Sequence, residues 1–155
     1  MISFKIVGKE EMELLMSTRL EMLRIVNGKP EDYQFSTELQ EESRAFYEQG
    51  SYREVVAMDG GTAVGWATLC FLRMMPTFDH PTGRRAHLMN VYTKKEYRRQ
   101  GIARTMVQML IDEARSWGAT EISLDATDMG RPLYESLGFR ASDEAMTLCL
   151  RPSET

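Results

Sequence analysis

The chain has 155 residues, of which 43% are hydrophobic and 27% charged, with a formal net charge of −4 at pH 7. That size and balance describe a soluble globular protein of one domain, expected over residues 1–150, with a short tail over 151–155. A net negative chain lacks the basic face that neutralises phosphate backbones, which argues against nucleic acid as a partner.

Cys70 and Cys149 lie far apart, with no CxxC and no histidine at ligand spacing, so neither a disulfide framework nor a metal site is expected. The opening Met1-Ile2-Ser3-Phe4-Lys5 has no basic and long apolar leader, and the longest near-apolar run, 63–72, is well short of the ~20 residues that span a bilayer. A cytoplasmic protein with no membrane partner is the expectation, and a homodimer stays open.

Residues 3–7 read as a short strand. Over 10–26, Met12, Leu15, Met16, Leu20, Met22, Leu23 and Val26 fall at the spacing of an amphipathic helix that Asn27-Gly28 stops. Ser36 caps a second helix, with Glu38 and Glu41 in its opening turns, running toward Gln49-Gly50. Residues 54–58 and 62–73 are rich in Val, Ala, Trp and Phe, and Asp59-Gly60-Gly61 between them signals an antiparallel hairpin. Two prolines and a glycine mark 74–83 as a loop, and 84–93 alternates as a strand.

From Gly101 the period changes. Ile102, Met106, Met109, Leu110, Ala114 and Trp117 form one helical stripe ending at Gly118. A strand over 121–124, a short helix over 131–137, and a last strand or hairpin from 139–140 and 145–150 complete the order β-α-α-β-β-β-α-β-α-β-β. The fold class is therefore α/β with a mixed (α+β) sheet, because the hairpin is antiparallel and the helical crossover calls for a parallel pair. Met74, Met75, Met89, Met106 and Met109 read as adaptable core.

Arg98-Arg99-Gln100-Gly101-Ile102-Ala103, followed by Arg104, falls between a strand and a helix, where unpaired backbone amides and the helix dipole suit an anion. Gly101 permits close approach, and the arginines add positive charge to an acidic protein. Taken alone, the segment reads equally as a solvated charge pair beside a capping glycine. Neither GxxxxGK[ST] nor GxGxxG occurs, which weakens the usual nucleotide readings.

Arg98-x-x-Gly101-x-Ala103 resembles the [Q/R]xxGx[G/A] pyrophosphate loop of the GNAT acetyltransferases, and Leu133-Tyr134-Glu135-Ser136-Leu137-Gly138-Phe139 resembles their LYxxxGF segment. The element order resembles that fold along nearly the whole chain, although only 87–140 carry specific motifs. The resemblance implies a central mixed sheet flanked by helices and acetyl-coenzyme A as co-substrate. It implies main-chain contacts to the pantetheine arm at Val91, Tyr92 and Thr93 on a splayed strand. It further implies Arg98, Arg99, Gln100, Gly101, Ile102, Ala103 and Arg104 around the pyrophosphate.

Two side chains carry the implied chemistry. Tyr134 matches the family tyrosine near the coenzyme sulfur, and a phenol of pKa ~10 can protonate a thiolate whose conjugate acid is near ~8.5. Its other reading is plain packing against Leu133 and Leu137. His87 stands where some members place a carboxylate base; imidazoles exchange protons near neutrality, although a strand histidine is often structural. Asn90 is read as holding a strand bulge, and Asp125 and Asp128 receive no role.

Acceptor choice falls by the resemblance to 19–49 and 74–85. There Glu31, Asp32, Glu38, Glu41 and Glu42 can attract a cationic amine, or simply solvate a helix face. The implied function is transfer of an acetyl group to an amine of a small molecule or peptide, by direct attack in a ternary complex. The alternatives are a non-catalytic acyl-coenzyme A sensor and an unrelated α+β interaction domain.

Overall fold

In a computed structural model, which describes residues 1–151, the chain forms two compact units, Met1–Asp125 and a smaller one starting at Ala126. Positions 152–155 of the expected tail lie outside the described residues. The first unit is built on a five-stranded sheet of order β1-β2-β3-β4-β5. Its strands are β1 (Ile2–Val7), β2 (Tyr52–Asp59), β3 (Thr62–Arg73), β4 (Arg84–Thr93) and β5 (Ile122–Ser123), with α1 (Met12–Val26), α2 (Thr37–Gln49) and α3 (Ile102–Trp117) between them.

Local chemistry fixes most boundaries. Ser36 accepts a hydrogen bond from the amide of Leu39 at 3.1 Å and so caps α2. Strands β1 to β4 pair antiparallel in chain order, β1 and β2 across the two helices α1 and α2 and β2 and β3 through a tight turn, whereas α3 carries the chain back so that β5 runs parallel to β4. The first helix begins later than the periodicity predicts, because Lys9–Glu11 forms a separate 3₁₀ turn. Val26, assigned to its apolar stripe, is 57% exposed. Met74 and Met75 are also exposed rather than core, since they follow the end of β3.

Successive residues of a strand point to opposite faces, and Gly65 and Trp66 show what each face of the sheet meets. Trp66 is fully buried in a cluster with Leu15 and Met16 of α1, Tyr47 of α2, and Tyr52 and Val56 of β2. On the other face, a Cβ at Gly65 would stand 3.2 Å from Ile102 Cγ2 and 3.3 Å from Met106 Cε. Glycine there lets the first turn of α3 approach the sheet closely. The helix buries Ile102, Met106, Val107, Leu110 and Ala114, and each large apolar side chain so buried contributes about 1.5–3 kcal/mol.

In the second unit, α4 (Arg131–Ser136) begins with a proline in its first turn, and the Tyr134 and Phe139 rings meet edge-on at 5.8 Å. The strand or hairpin expected from 139–140 and 145–150 is absent among the described residues. A strand is held by ladder hydrogen bonds, and beyond Phe139 the bonds in this stretch are local: Glu144 N to Ser142 Oγ, and Cys149 Sγ to Arg151 O. Met146, Leu148 and Leu150 alternate as a strand would, yet all are exposed.

Candidate active site

Strand β4 pairs with β3 along nearly its whole length, but with β5 only at Ala86↔Ile122 and His87↔Ser123. Beyond His87 the two parallel neighbours part, which leaves the backbone of 88–93 on that edge outside the ladder. A register shift interrupts the β3–β4 pairing between Trp66 and Thr68, and Asn90 opposite it adopts φ 60. Asn90 therefore sits at a bulge, as its sequence position suggests. Tyr92 packs on Trp66 at 5.2 Å, and Thr93 Oγ1 is buried without a hydrogen-bond partner. That edge is thus extended and outside the ladder with β5, and the Tyr92–Trp66 contact backs it.

The loop that follows is anchored back onto this strand. Arg98 donates from Nε to the carbonyl of Thr93 at 2.9 Å, and its guanidinium lies over the Tyr92 ring. Arg99 (φ 64) and Gly101 (φ 78) are both left-handed within three residues, an arrangement that turns successive amides toward one point. Gly101 is the N-cap of α3 and provides no side-chain cap. A Cβ at Gly101 would meet nothing within 4 Å, so backbone conformation rather than crowding asks for glycine there.

Between α1, α2, β3 and β4 lies a cavity of about 320 Å³. Arg19 of α1, Phe46 and Tyr47 of α2, Thr68 and Cys70 of β3, and Met89 and Asn90 of β4 form most of its wall. Two cross-strand rows build its sheet face: Glu54, Thr68 and Met89 in one, and Tyr52, Cys70, His87 and Ser123 in the next. A polar chain runs through the first row. Arg19 Nη1 donates to Asn90 Oδ1 at 3.1 Å, Asn90 Nδ2 to Thr68 Oγ1 at 3.0 Å, and Thr68 Oγ1 to Glu54 Oε1 at 2.7 Å. Tyr47 Oη adds a longer bond to the same carboxyl at 3.4 Å.

Glu54 is fully buried, and its Oε2 has no partner. Burial pushes its pKa up to about 7, against the opposing pull of Thr68, Tyr47 and Arg19. The same burial, with the Glu54 charge beside it, raises the phenol of Tyr47, and burial raises the thiol of Cys70. Sequence reading passed over Glu54. Its signal was available: in β2, position 54 shares its parity with the core residues Tyr52 and Val56, so its side chain had to point inward.

The expected site residues fall into separate groups. Val91, Tyr92 and Thr93 adjoin Arg98, as described. His87 lies on the cavity face, directly opposite Cys70, with Nδ1 2.7 Å from Ser123 Oγ and Nε2 3.8 Å from the exposed carboxylate of Asp125. Tyr134 belongs to the second unit, where burial raises its pKa. Among the described residues its hydroxyl makes no hydrogen bond.

A mixed sheet opened beside its fourth strand, with an uncapped helix after it, defines an acyl-coenzyme A transferase type of fold. Residues 20–139 match the model of the acetyltransferase (GNAT) family, and the chain belongs to that family. Over 90 residues it is 32% identical to glucosamine 6-phosphate N-acetyltransferase of Trypanosoma brucei brucei, covering 58% of this chain and 59% of that one. Over 112 residues it is 30% identical to N-acetyltransferase 8 of Homo sapiens, covering 69% and 43%. The matches thus span about half the length of these relatives. The crystal structure of a predicted acetyltransferase with acetyl-CoA from Clostridium acetobutylicum superposes with a TM-score of 0.83 at 29% identity, over 97% of both chains. Among the described residues, no helix is long and apolar enough to cross a membrane.

Proposed function

We propose that the protein transfers the acetyl group of acetyl-coenzyme A to an amine held in the cavity between α1, α2, β3 and β4, by direct attack in a ternary complex. The observation that carries this reading is the parting of β4 from β5 after His87, next to the uncapped start of α3. The β4 edge at 91–93, outside the ladder with β5, suits the amide groups of a pantetheine arm, and the loop and arginines of 98–104 suit a pyrophosphate. The cavity wall ends at Met89 and Asn90, immediately before that strand segment, so acceptor and donor would meet on β4. Holding both substrates in attacking geometry supplies most of the benefit in such a reaction.

In the proposed reaction the amine nitrogen bonds to the thioester carbonyl carbon, the carbon–sulfur bond breaks, and the amine gives up a proton. His87 is the proposed base or relay. Ser123 Oγ lies 3.5 Å from the carbonyl of Ala86, to which its proton can be given, so it can accept from His87 Nδ1–H. The lone pair then rests on Nε2, which faces the Asp125 carboxylate at 3.8 Å. Tyr134 is the proposed donor to the departing thiolate; its raised pKa keeps the phenol protonated at neutral pH. Cysteines left unpaired at Cys70 and Cys149 fit a proposed cytoplasmic location.

The test measures thiol release from acetyl-coenzyme A across amines that include polyamines, aminoglycosides, amino acids and peptide N-termini, alongside thermal melting with and without the coenzyme. Turnover with an acceptor and a rise in Tm with acetyl-coenzyme A, but not with NAD, is the expected result. No Tm shift with any acyl-coenzyme A would overturn the reading.

A further inference from the structure

The cavity contains a cation, Arg19, that no carboxylate pairs with among the described residues. Of the Arg19 guanidinium, only Nη1 is engaged among the described residues, donating to Asn90 Oδ1 and lying 3.9 Å from Met22 Sδ. No carboxylate makes an ion pair with it among those residues. Glu42 lines the same cavity from α2 without reaching it, and Glu54 is held apart by the intervening Asn90 and Thr68 side chains. Burial also leaves Glu54 largely or half protonated at neutral pH, so its charge offsets Arg19 only in part.

Arg19 is half-buried, and a guanidinium without a paired carboxylate has donors to spare for an anion that enters the cavity. Five donors in a planar fork suit the two oxygens of a carboxylate or phosphate. Asn90 holds one of them and so fixes the plane, which leaves the Nη2 and Nε edge for a ligand. The opposite walls are apolar, with Phe46, Met89 and Cys70. A volume of about 320 Å³ suits a small molecule or one residue of a peptide rather than a folded surface.

We propose that the acceptor carries an oxyanion, carboxylate or phosphate, beside its amine, and that Arg19 binds that oxyanion inside the cavity. The inference rests on the acetyltransferase reading above. It narrows the acceptors to amino acids, peptides bearing a nearby carboxylate, and phosphorylated amines. Simple polyamines and neutral amino sugars fall outside that class. Because Arg19 is bonded to Asn90, the anion would rest one residue from Val91, where the proposed coenzyme strand begins.

Matched pairs differing only in the anion test this: L-amino acids against their amides, and glucosamine 6-phosphate against glucosamine. Each is assayed for thiol release and titrated by calorimetry into protein saturated with coenzyme A. The expected result is a preference of about 10- to 100-fold for the anionic member of at least one pair, the range for a charged hydrogen-bonded contact, expressed mainly in KM. Preference in the amino-acid pairs assigns a carboxylate, and in the sugar pair a phosphate. Arg19→Met should abolish it, and Arg19→Lys, which keeps the charge without the fork, should retain part. Equal use of both members, a preference that survives Arg19→Met, or no binding by any anionic member overturns the inference. Coenzyme A binding in the same titrations separates that failure from failure of the acetyltransferase reading.

Discussion

Thr68 donates its hydroxyl proton to Glu54 at 2.7 Å across the β2–β3 pair, and this bond joins a buried carboxyl to the wall of the acceptor cavity. The carboxyl has an acceptor role in that bond whether or not its other oxygen is protonated. Its cost to the fold therefore depends on pH.

Glu54 titrates near neutrality when folded and in the ordinary carboxyl range when unfolded, so its contribution is fully present at low pH and lost as pH rises to about 7. A shift of that size corresponds to roughly 3 kcal/mol. Glu54→Gln keeps an acceptor for Thr68 but does not ionise. Relative to wild type, it should gain about that much unfolding free energy between pH 4 and pH 8. Urea melts at both pH values measure it, and parallel pH dependence in the two proteins would show that Glu54 titrates normally.

Gly65 sets the height of α3 above the sheet. Gly65→Val pushes its side chain against Ile102, Met106 and the carbonyl of Tyr92, at a cost of about 1–3 kcal/mol from overpacking. Since Ile102 opens the helix beside the loop, coenzyme A affinity should fall together with Tm. Calorimetry on the folded variant checks this, and unchanged affinity would mean that the loop does not depend on helix height.

Gly101→Ala isolates the left-handed backbone, because its Cβ meets open space, and it should cost about 1–2 kcal/mol of stability. Gly101→Asp adds a negative charge where the pyrophosphate is proposed to lie. It should weaken coenzyme A binding at least ~10-fold beyond the alanine variant, with Arg99→Ala weaker in effect. Equal affinities for the alanine and aspartate variants would place the pyrophosphate elsewhere.

His87→Ala should lose turnover most in the pH range where an imidazole is a free base while the amine is still protonated, and the deficit should shrink in acid and again as pH approaches the ionisation of the amine itself. A pH–rate profile of wild-type shape, merely scaled, would leave His87 as a structural partner of Ser123.

Tyr134→Phe removes one hydroxyl that makes no hydrogen bond among the described residues, and the ring keeps its contact with Phe139. Turnover should fall by about 10²- to 10⁴-fold where chemistry limits the rate, with coenzyme affinity nearly unchanged. Steady-state kinetics beside calorimetry provide the check. Unchanged turnover removes the phenol from the reaction and favours a sensor.

Local pattern in the sequence was enough for the strand–helix order through α4, for Ser36 as a cap and for the loop before α3. Each depends on residues within a few positions of one another: a period of two or 3.6, a capping oxygen, a glycine at a helix start. Only the tertiary structure decided what depends on register between distant segments. Pairing of β3 with β2 on one side and β4 on the other brings Glu54, Thr68 and Asn90 into one chain of hydrogen bonds, and packing of α1 on that face adds Arg19. Residues 145–150 have the alternation of a strand but gain none of the cross-strand partners that would make them one among the described residues. Alternation states which side chains would share a face; ladder hydrogen bonds to a neighbour decide whether that face exists.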